Sequence, residues 1–432
     1  MNEDLPIACG TAMPIGWAEI RLGEICEIYQ PETISKKELI ENGKYLVYGA
    51  NGVIGRYDKY NHEHSELLIT CRGATCGSVN MSLPRSWING NAMVIRPRFD
   101  FIGREFLRYF FRGYIDFSSV ITGSAQPQIT RQSLSPVLVP LPPPNEQRRI
   151  VEKLDRIFDR LGRVRDELSH IKKLIDRYRQ SVLTAAFRGD LTADWRLSSS
   201  ISLVSLSEIC NSITDGDHQP PPKSETGIPF ITISAINDGS LKLNKATRFV
   251  SKSYFESLPK IRKPEINDIL FTVTGSIGIP VIVNINEPFV FQRHIAILKP
   301  NRDIILPKYL LYALGSEQVK KQSINVATGT AQLTIPLSGL RNFQIQLPPL
   351  EEQKEIVRRI EERFAKIEKI EQEYQKAVKL CDRLEQATLA KAFRGELVPQ
   401  DPNDEPASVL LERIRSEKKT LTQPKGKSRR QK

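Results

Sequence analysis

No stretch of this 432-residue chain approaches the ~20 apolar residues that a membrane-spanning helix needs. The N-terminus also lacks a basic region followed by an apolar one. It opens on Glu3 and Asp4, so no signal peptide is read and a cytoplasmic location is expected. Cysteine is scarce and scattered: of Cys9, Cys26, Cys71, Cys76, Cys210 and Cys381, only Cys71 and Cys76 lie close together. A structural zinc site wants four ligands at short spacings, so neither zinc nor a disulfide framework is expected. Nucleotide loops are missing as well. Gly49-Ala-Asn-Gly52-Val-Ile-Gly55 lacks the GxGxxG spacing and is read as a turn, and Gly426-Lys-Ser428 lacks the upstream glycine and strand of a P-loop. His62-Glu-His64 and Asp215-Gly-Asp217-His218 have no HExxH spacing and are read as polar loops without a metal.

What is present is a long, basic, globular composition. At 40% hydrophobic and 26% charged residues the chain reads as globular, and 432 residues are more than one hydrophobic core normally organises, so at least two domains are expected. Its net charge of +12 is unevenly placed: residues 413–432 carry nine Lys/Arg against Glu417 alone, which is +8 of the total. Such a tail suits contact with phosphate and equally suits a solubilising end, so charge permits nucleic-acid binding without requiring it.

An internal repeat organises the rest. Thr122 to Leu191 returns at Thr328 to Leu397 with a constant offset of 206 residues, and more than a third of the aligned positions are identical. A fainter frame precedes each copy. Leu22-Gly-Glu-Ile-Cys26 echoes Leu206-Ser-Glu-Ile-Cys210, and Glu66-Leu-Leu-Ile-Thr70 echoes Asp268-Ile-Leu-Phe-Thr272. Ala92-Met-Val-Ile-Arg-Pro97 echoes Ile295-Ala-Ile-Leu-Lys-Pro300. Short apolar runs split by Gly, Pro and Asn predict a twisted sheet with a few helices in each half.

Each half ends on a helical pattern. Apolar residues at Ile150, Leu154, Ile157, Leu161, Val164, Leu168, Ile171, Ile175, Tyr178, Val182 and Ala185 alternate steps of four and three, the a/d heptad of a coiled coil. The second copy runs through Ile356, Ile360, Ile367, Ile370, Tyr374, Ala377, Cys381 and Leu384. Pro142 to Pro144 block an earlier start, Asn145 can cap the first helix, and Gly189 and Gly395 end the two. Two such stripes in one chain are expected to bury each other along Leu154, Leu161, Leu168 and Ile175 against Ile360, Ile367, Tyr374 and Leu384. The fold class expected is α+β: two α/β domains joined by two long antiparallel coiled-coil helices, a pseudo-twofold internal repeat. A spacer carrying two unlike readers fits a target of two half-sites separated by an unread gap.

Three features together resemble the specificity subunits of Type I restriction-modification systems. They are Pro14-Ile-Gly-Trp17, the doubled motif at Pro143–Ile150 (PPNEQRRI) and Pro348–Ile356 (PPLEEQKEI), and the Ala-Phe-Arg-Gly-(Asp/Glu)-Leu that closes both helices. The resemblance covers residues 14–397 and leaves the basic tail outside. It implies target recognition domains at 1–145 and 191–350, conserved spacer helices at 146–190 and 351–397, and a basic, disordered tail at 398–432. It also implies double-stranded DNA as ligand, two methyltransferase subunits as partners and, in a complex that also cuts, two restriction subunits. The partners would carry S-adenosylmethionine, ATP and Mg. This chain would hold no cofactor, and it would direct adenine N6 methylation and restriction at a bipartite asymmetric site without catalysing either. Its own Pro-Pro runs lack the Asn/Asp and trailing aromatic with which an adenine methyltransferase holds a flipped base.

Base edges are read by Arg, Asn, Gln, Ser and Thr on loops. The candidates are Asn51, Arg56, Arg72 and Gln126 in the first half, and His218, Thr274, Arg293 and Gln332 in the second. Gln126 and Gln332 occupy equivalent positions, which favours a structural role for them over discrimination. The competing reading is a coiled-coil scaffold presenting two protein-binding domains with no nucleic acid. The duplication makes one test direct. A chain ending near Gly189 retains one reader and one helix, and two copies should pair as a homodimer that directs methylation to a palindrome of half-site one. Light scattering and methylation mapping would check it, and recovery of an asymmetric site would contradict it.

Overall fold

The computed structural model describes residues 13–49, 51–123, 126–195, 201–330 and 332–421. The chain divides into two compact units, Met1–Glu167 with Ala377–Lys432, and Leu168–Lys376. Each is an α/β unit of the same plan, as the repeat predicts.

In the first unit a four-stranded antiparallel sheet has the order Cys26–Tyr29, Ala92–Pro97, Leu67–Thr70, Val79–Met81. In the second the order is Cys210–Asp215, Ile295–Pro300, Ile269–Thr272, Pro280–Ile282. The echoed segments of the sequence thus become the same strands. Leu67–Thr70 and Ile269–Thr272 are buried along their whole length, which is why they read as unbroken apolar runs. Each unit adds a three-stranded sheet with one parallel pair, Val47 beside Trp87 and Phe230 beside Val290. A buried acid precedes each central strand and is matched by a cation across the sheet. Glu66 meets Arg96 at 2.6 Å, and Asp268 meets Lys299 at 2.6 Å.

The long helices run Pro144–Arg188 and Leu350–Phe393. Proline opens the first because the missing N–H has no intrahelical partner there anyway. The repeated Glu-Gln pair fixes each helix to its sheet domain. The Gln147 carboxamide accepts from Gly103 N (2.8 Å) and donates to Pro142 O (3.0 Å). Gln353 accepts from Leu306 N (2.8 Å) and donates to Pro348 O (2.9 Å). Asn145 does not cap the first helix as expected: it lies inside the first turn, and its side chain donates to Asp404 (3.0 Å). At the far ends, Gly189 and Gly395 adopt φ of +85° and +72°, the left-handed stop the sequence predicted.

The helices pair antiparallel within each unit. In the first, Arg165 reaches Asp382 (2.9 Å) and Glu385 (2.7 Å). In the second, Lys172 and Arg179 meet Glu371 at 2.8 and 3.2 Å. The helix end that arrives from the other half of the sequence completes each core. Phe393 packs on Phe106, Phe110 and Tyr114 with ring centroids 5.3, 5.9 and 5.0 Å away, beside buried Leu389 and Ala392. Phe187 packs on Tyr309 at 5.4 Å, beside buried Leu183 and Ala186. These are the repeat-equivalent residues.

The heptad stripe is only half buried. Leu154 and Leu161 in the first unit, and Leu168, Ile175, Ile360 and Ile367 in the second, are buried; Tyr374 is half-buried. Towards the middle of the helices the alternate position is exposed. Val164 and Leu384 face solvent in the first unit, and Ile171, Tyr178 and Ile370 do so in the second, with exposed Leu380 and Leu174, which lie off the stripe, beside them. One pair of helices has a single seam, so the second apolar row has nothing to bury against.

The segment 398–421, expected to be part of a disordered tail, is instead built into the first unit. Asp404 takes an ion pair from Arg149 (2.6 Å), Ala407 N donates to Gly16 O (2.9 Å), and a helix follows over Ala407–Leu421 with Ala407 and Leu411 in the core. Residues 422–432 lie outside the described residues.

The seam gives a sharp test. Leu161→Asp places an unpaired charge in it and should cost about 3–5 kcal/mol, whereas exposed Arg163→Ala should be tolerated within ~0.5 kcal/mol. Arg165→Ala, which removes two ion pairs of a partly exposed guanidinium, should fall between them at about 1 kcal/mol or less. Denaturant unfolding of the three variants checks the order.

Candidate nucleic-acid interface

In each unit the buried central strand runs into a glycine-punctuated loop that docks on a second loop from the repeat. In the first unit Gly77 N closes onto Thr70 O (2.9 Å), with Gly73 and Gly77 at φ of +85° and +92°. The partner loop is tied by Thr122 and Gln128, which exchange backbone hydrogen bonds at 2.8 and 2.9 Å. Gly73 N donates to Pro127 O (3.2 Å) and Ile129 N to Cys71 O (3.0 Å), locking the two loops together.

The second unit repeats these ties on a turn one residue shorter. Gly278 N closes onto Thr272 O (2.9 Å), Thr328 and Thr334 exchange bonds at 2.9 and 2.8 Å, Gly275 N donates to Leu333 O (2.9 Å), and Ile335 N to Val273 O (2.7 Å). Gly123 and Gly329 both have positive φ, and a Cβ on either would stand 2.7 or 2.5 Å from the carbonyl oxygen of Gln126 or Gln332. Only glycine fits that turn.

Four of the candidate residues fall on these paired loops. Arg72 and Gln126 are exposed in the first unit, and Gln332 is exposed in the second. Thr274 is buried, with its hydroxyl 3.4 Å from that of Thr334. Two further candidates sit on adjoining loops of the second unit. Asp217 bridges Gln292, Arg293 N donates to Asp217 O (3.1 Å), and Val273 N donates to His294 O (2.9 Å). This brings the loops of His218, Arg293 and Thr274 side by side. His218 projects to solvent with Nε2 held 2.9 Å from Asp215, and Arg262 braces Asp217 at 3.4 Å. Burial, then the neighbouring Asp217 carboxylate, pushes the Tyr254 hydroxyl up to about 12, so it stays protonated as a donor.

The remaining two candidates of the first unit are elsewhere. Asn51 lies exposed at the tip of the hairpin formed by Tyr45–Gly49 and Gly52–Tyr57. Arg56 is spent on backbone: its Nε donates to Gly43 O (2.6 Å) and its Nη2 to Lys44 O (3.4 Å), stapling that hairpin. Two exposed residues were missed, Gln128 and Asn91. Asn91 accepts from Cys71 N (3.2 Å) where His294 accepts from Val273 N. The signal for Gln128 was available: it is a mismatch, against Thr334, next to an identical Ile129/Ile335 in a loop whose two copies agree at five of nine positions.

His62, read as part of a polar loop, is buried. It stacks on Tyr29, shares a hydrogen bond with the Tyr29 hydroxyl (2.9 Å), and pairs with Asn61 (2.6 Å). Cys26 and Cys210, at equivalent positions, are both pushed up to about 12 by burial, so neither thiol is a nucleophile. Among the described residues no group of three or more His, Cys, Asp or Glu is placed to hold a metal.

Comparison with known proteins gives a consistent result. A family profile described as the Type I restriction modification DNA specificity domain matches residues 14–172 and again 201–379. The specificity subunit of the Type I restriction enzyme EcoBI from Escherichia coli is 32% identical over 361 residues, 77% of this chain and 75% of that protein. The EcoKI specificity subunit of Escherichia coli strain K12 is 29% identical over 395 residues, 86% and 79% of the two chains. A chain solved in a study of assembly and conformational transition of the type I R-M system superposes with a TM-score of 0.67. It is 24% identical and covers 90% of this chain and 100% of that one.

Burial of His62 yields a pH dependence. Burial is the main cause holding its pKa below the ordinary 6.5, with Arg96 lowering it further and Glu66 opposing. A depressed folded pKa favours the neutral ring, so this contribution is complete above pH 6.5 and is lost as pH falls from there through the folded value. Denaturant unfolding between about pH 7.5 and 5 should show that loss in the natural protein and a smaller one in His62→Asn. Equal slopes would contradict it.

Proposed function

The chain belongs to the Type I restriction-modification DNA specificity family, and from that premise we propose that it recognises a bipartite, asymmetric site in double-stranded DNA, one half-site per unit. One observation carries the reading: two loop frames docked by the same backbone hydrogen bonds present unlike side chains, as two readers of unlike half-sites require. In this reading the chain is not an enzyme. It works in the cytoplasm and directs adenine N6 methylation by partner subunits that bind S-adenosylmethionine, and restriction by ATP- and Mg-dependent subunits where they are present.

The exposed apolar residues beside the seam support the partner count. Shifting Val164, Leu174 and Tyr178 by 206 residues gives Ile370, Leu380 and Leu384. The first unit therefore exposes Val164, Leu380 and Leu384, and the second exposes the equivalent set Ile370, Leu174 and Tyr178. Equivalent apolar sets on each unit suit two copies of one partner, two methyltransferase subunits per chain.

Reconstitution with the cognate methyltransferase subunit tests this. The purified chain alone should methylate nothing, and the complex should place N6-methyladenine at a single bipartite asymmetric sequence. Binding should weaken steeply with salt, which a protein scaffold's partners would not share. Leu380→Glu with Leu384→Glu, or Leu174→Glu with Tyr178→Glu, should each reduce the complex from two methyltransferase subunits to one by native mass spectrometry. Full occupancy with both pairs charged would overturn the assignment of these residues.

A further inference from the structure

We infer that Arg72 and Gln128 are the base-reading pair of the first unit, Arg72 taking a guanine and Gln128 an adjacent adenine, and that the second unit reads its half-site without this pair. The inference rests on the proposed DNA-recognition function and names the residues through which one half-site is read.

Arg72 and Gln128 are opposite one another in an isolated antiparallel bridge, and Thr274 and Thr334 form the same bridge in the second unit. Residues so paired stand on one face with Cβ atoms about 4.5–5.5 Å apart. The hydroxyls of Thr274 and Thr334, 3.4 Å from each other, show that side chains at this place do converge. The backbone bonds that dock the two loops recur in both units, although the turn from Thr272 to Gly278 is one residue shorter than that from Thr70 to Gly77, so the change from Thr/Thr to Arg/Gln is a change of side chain on the same bridge.

The two pairs differ in what they leave available. Thr274 and Thr334 satisfy each other and Thr274 is buried. Arg72 and Gln128 are exposed, and among the described residues neither side chain has a hydrogen-bond or ion-pair partner. That sets Arg72 apart from its neighbours: Arg56, Arg85, Arg96 and Arg98 are each tied to a carboxylate or a backbone carbonyl. An unpaired guanidinium fork matches the two acceptors of guanine, O6 and N7, and a carboxamide matches N6 and N7 of adenine. From Cβ atoms about 4.5–5.5 Å apart, two such long side chains can reach successive base pairs, which rise by ~3.4 Å. In the second unit Arg293 is exposed and, among the described residues, has no side-chain partner; it stands on the loop next to the closed threonine pair, so guanine reading there is displaced to a different place on the unit.

The test uses the full chain with its methyltransferase subunits and maps methylated adenines over a random-sequence library. The decisive variant is Arg72→Thr with Gln128→Thr, which copies a pair this backbone already carries in the second unit and therefore folds. Arg72→Ala and Gln128→Ala separate the two contributions. Half-site one should contain a guanine whose discrimination falls roughly ten- to hundredfold in Arg72→Ala, and a neighbouring adenine that relaxes in Gln128→Ala. Both should become degenerate in the double variant, with half-site two unchanged letter for letter. A uniform loss of methylation with the consensus intact would make Arg72 a phosphate contact and overturn the inference, as would a half-site one without guanine. A natural complex with no bipartite consensus at all would remove the parent function, and this assignment with it.

Discussion

Each long helix ends in a phenylalanine that closes a core begun in the other half of the sequence, and the structure depends on that closure. Phe393 fills the space under Phe106, Phe110 and Tyr114, and Phe187 does the same beneath Tyr309. Burying a phenylalanine is worth about 1.5–3 kcal/mol, and Leu389 with Ala392, or Leu183 with Ala186, adds to it on the same helical turn. Neither sheet domain therefore owns a complete core. Antiparallel pairing within each unit follows, because a helix that leaves one sheet domain through its glutamine clamp must arrive at the other with its phenylalanine end. The repeat is preserved where these two fittings lie, Glu-Gln at one end and Ala-Phe-Arg-Gly at the other.

That explains why so much of the fold was legible. The identities that reveal the duplication are the residues with fixed mechanical tasks: Gln147 and Gln353, Phe187 and Phe393, Gly123 and Gly329, Gly189 and Gly395. Strand positions were legible for a similar reason, since fully buried strands must be apolar in both copies. What stayed hidden were outcomes that depend on a partner distant in sequence. Asn145 looks like a cap until Asp404 is found beside it. His62 looks like a surface residue until Tyr29 stacks on it, and Arg56 looks free until Gly43 and Lys44 claim its guanidinium. The helix at Ala407–Leu421 rests on two buried residues, too few to register as a periodic pattern.

Periodicity also misled in an instructive way. A heptad stripe states which positions are apolar, and it is silent on how many surfaces will cover them. Ile171, Tyr178 and Ile370 satisfy the pattern as well as Leu168 and Ile175 do, yet only the latter two are buried. Exposed apolar area costs roughly 25 cal/mol per Å² that burial would recover. A sequence that maintains the second row in both copies, at the same offset, bears that cost twice for the same purpose. Under the proposed function the purpose is the methyltransferase subunits. The chain then uses one face of each helix to hold itself together and the next face to hold its partners.

The candidate interface obeys the opposite rule from the core. There the information lies where the repeat breaks. Backbone amides, carbonyls and left-handed glycines recur in both loop pairs, and the ties the two pairs share are main chain to main chain; the side-chain link of Thr334 to Thr274 belongs to one unit alone. A mount built from backbone alone leaves each side chain on its outer face free to change without loosening the fold. Thr274 and Thr334 can close on each other in one unit while Arg72 and Gln128 stand open in the other, on the same bonds. Recognition can then diverge between the halves at little cost in stability, since the exposed side chains of Arg72 and Gln128 carry none of the bonds that hold the loops. A duplicated reader needs that separation: had the loop ties run through side chains, every change of target would also have been a change of structure.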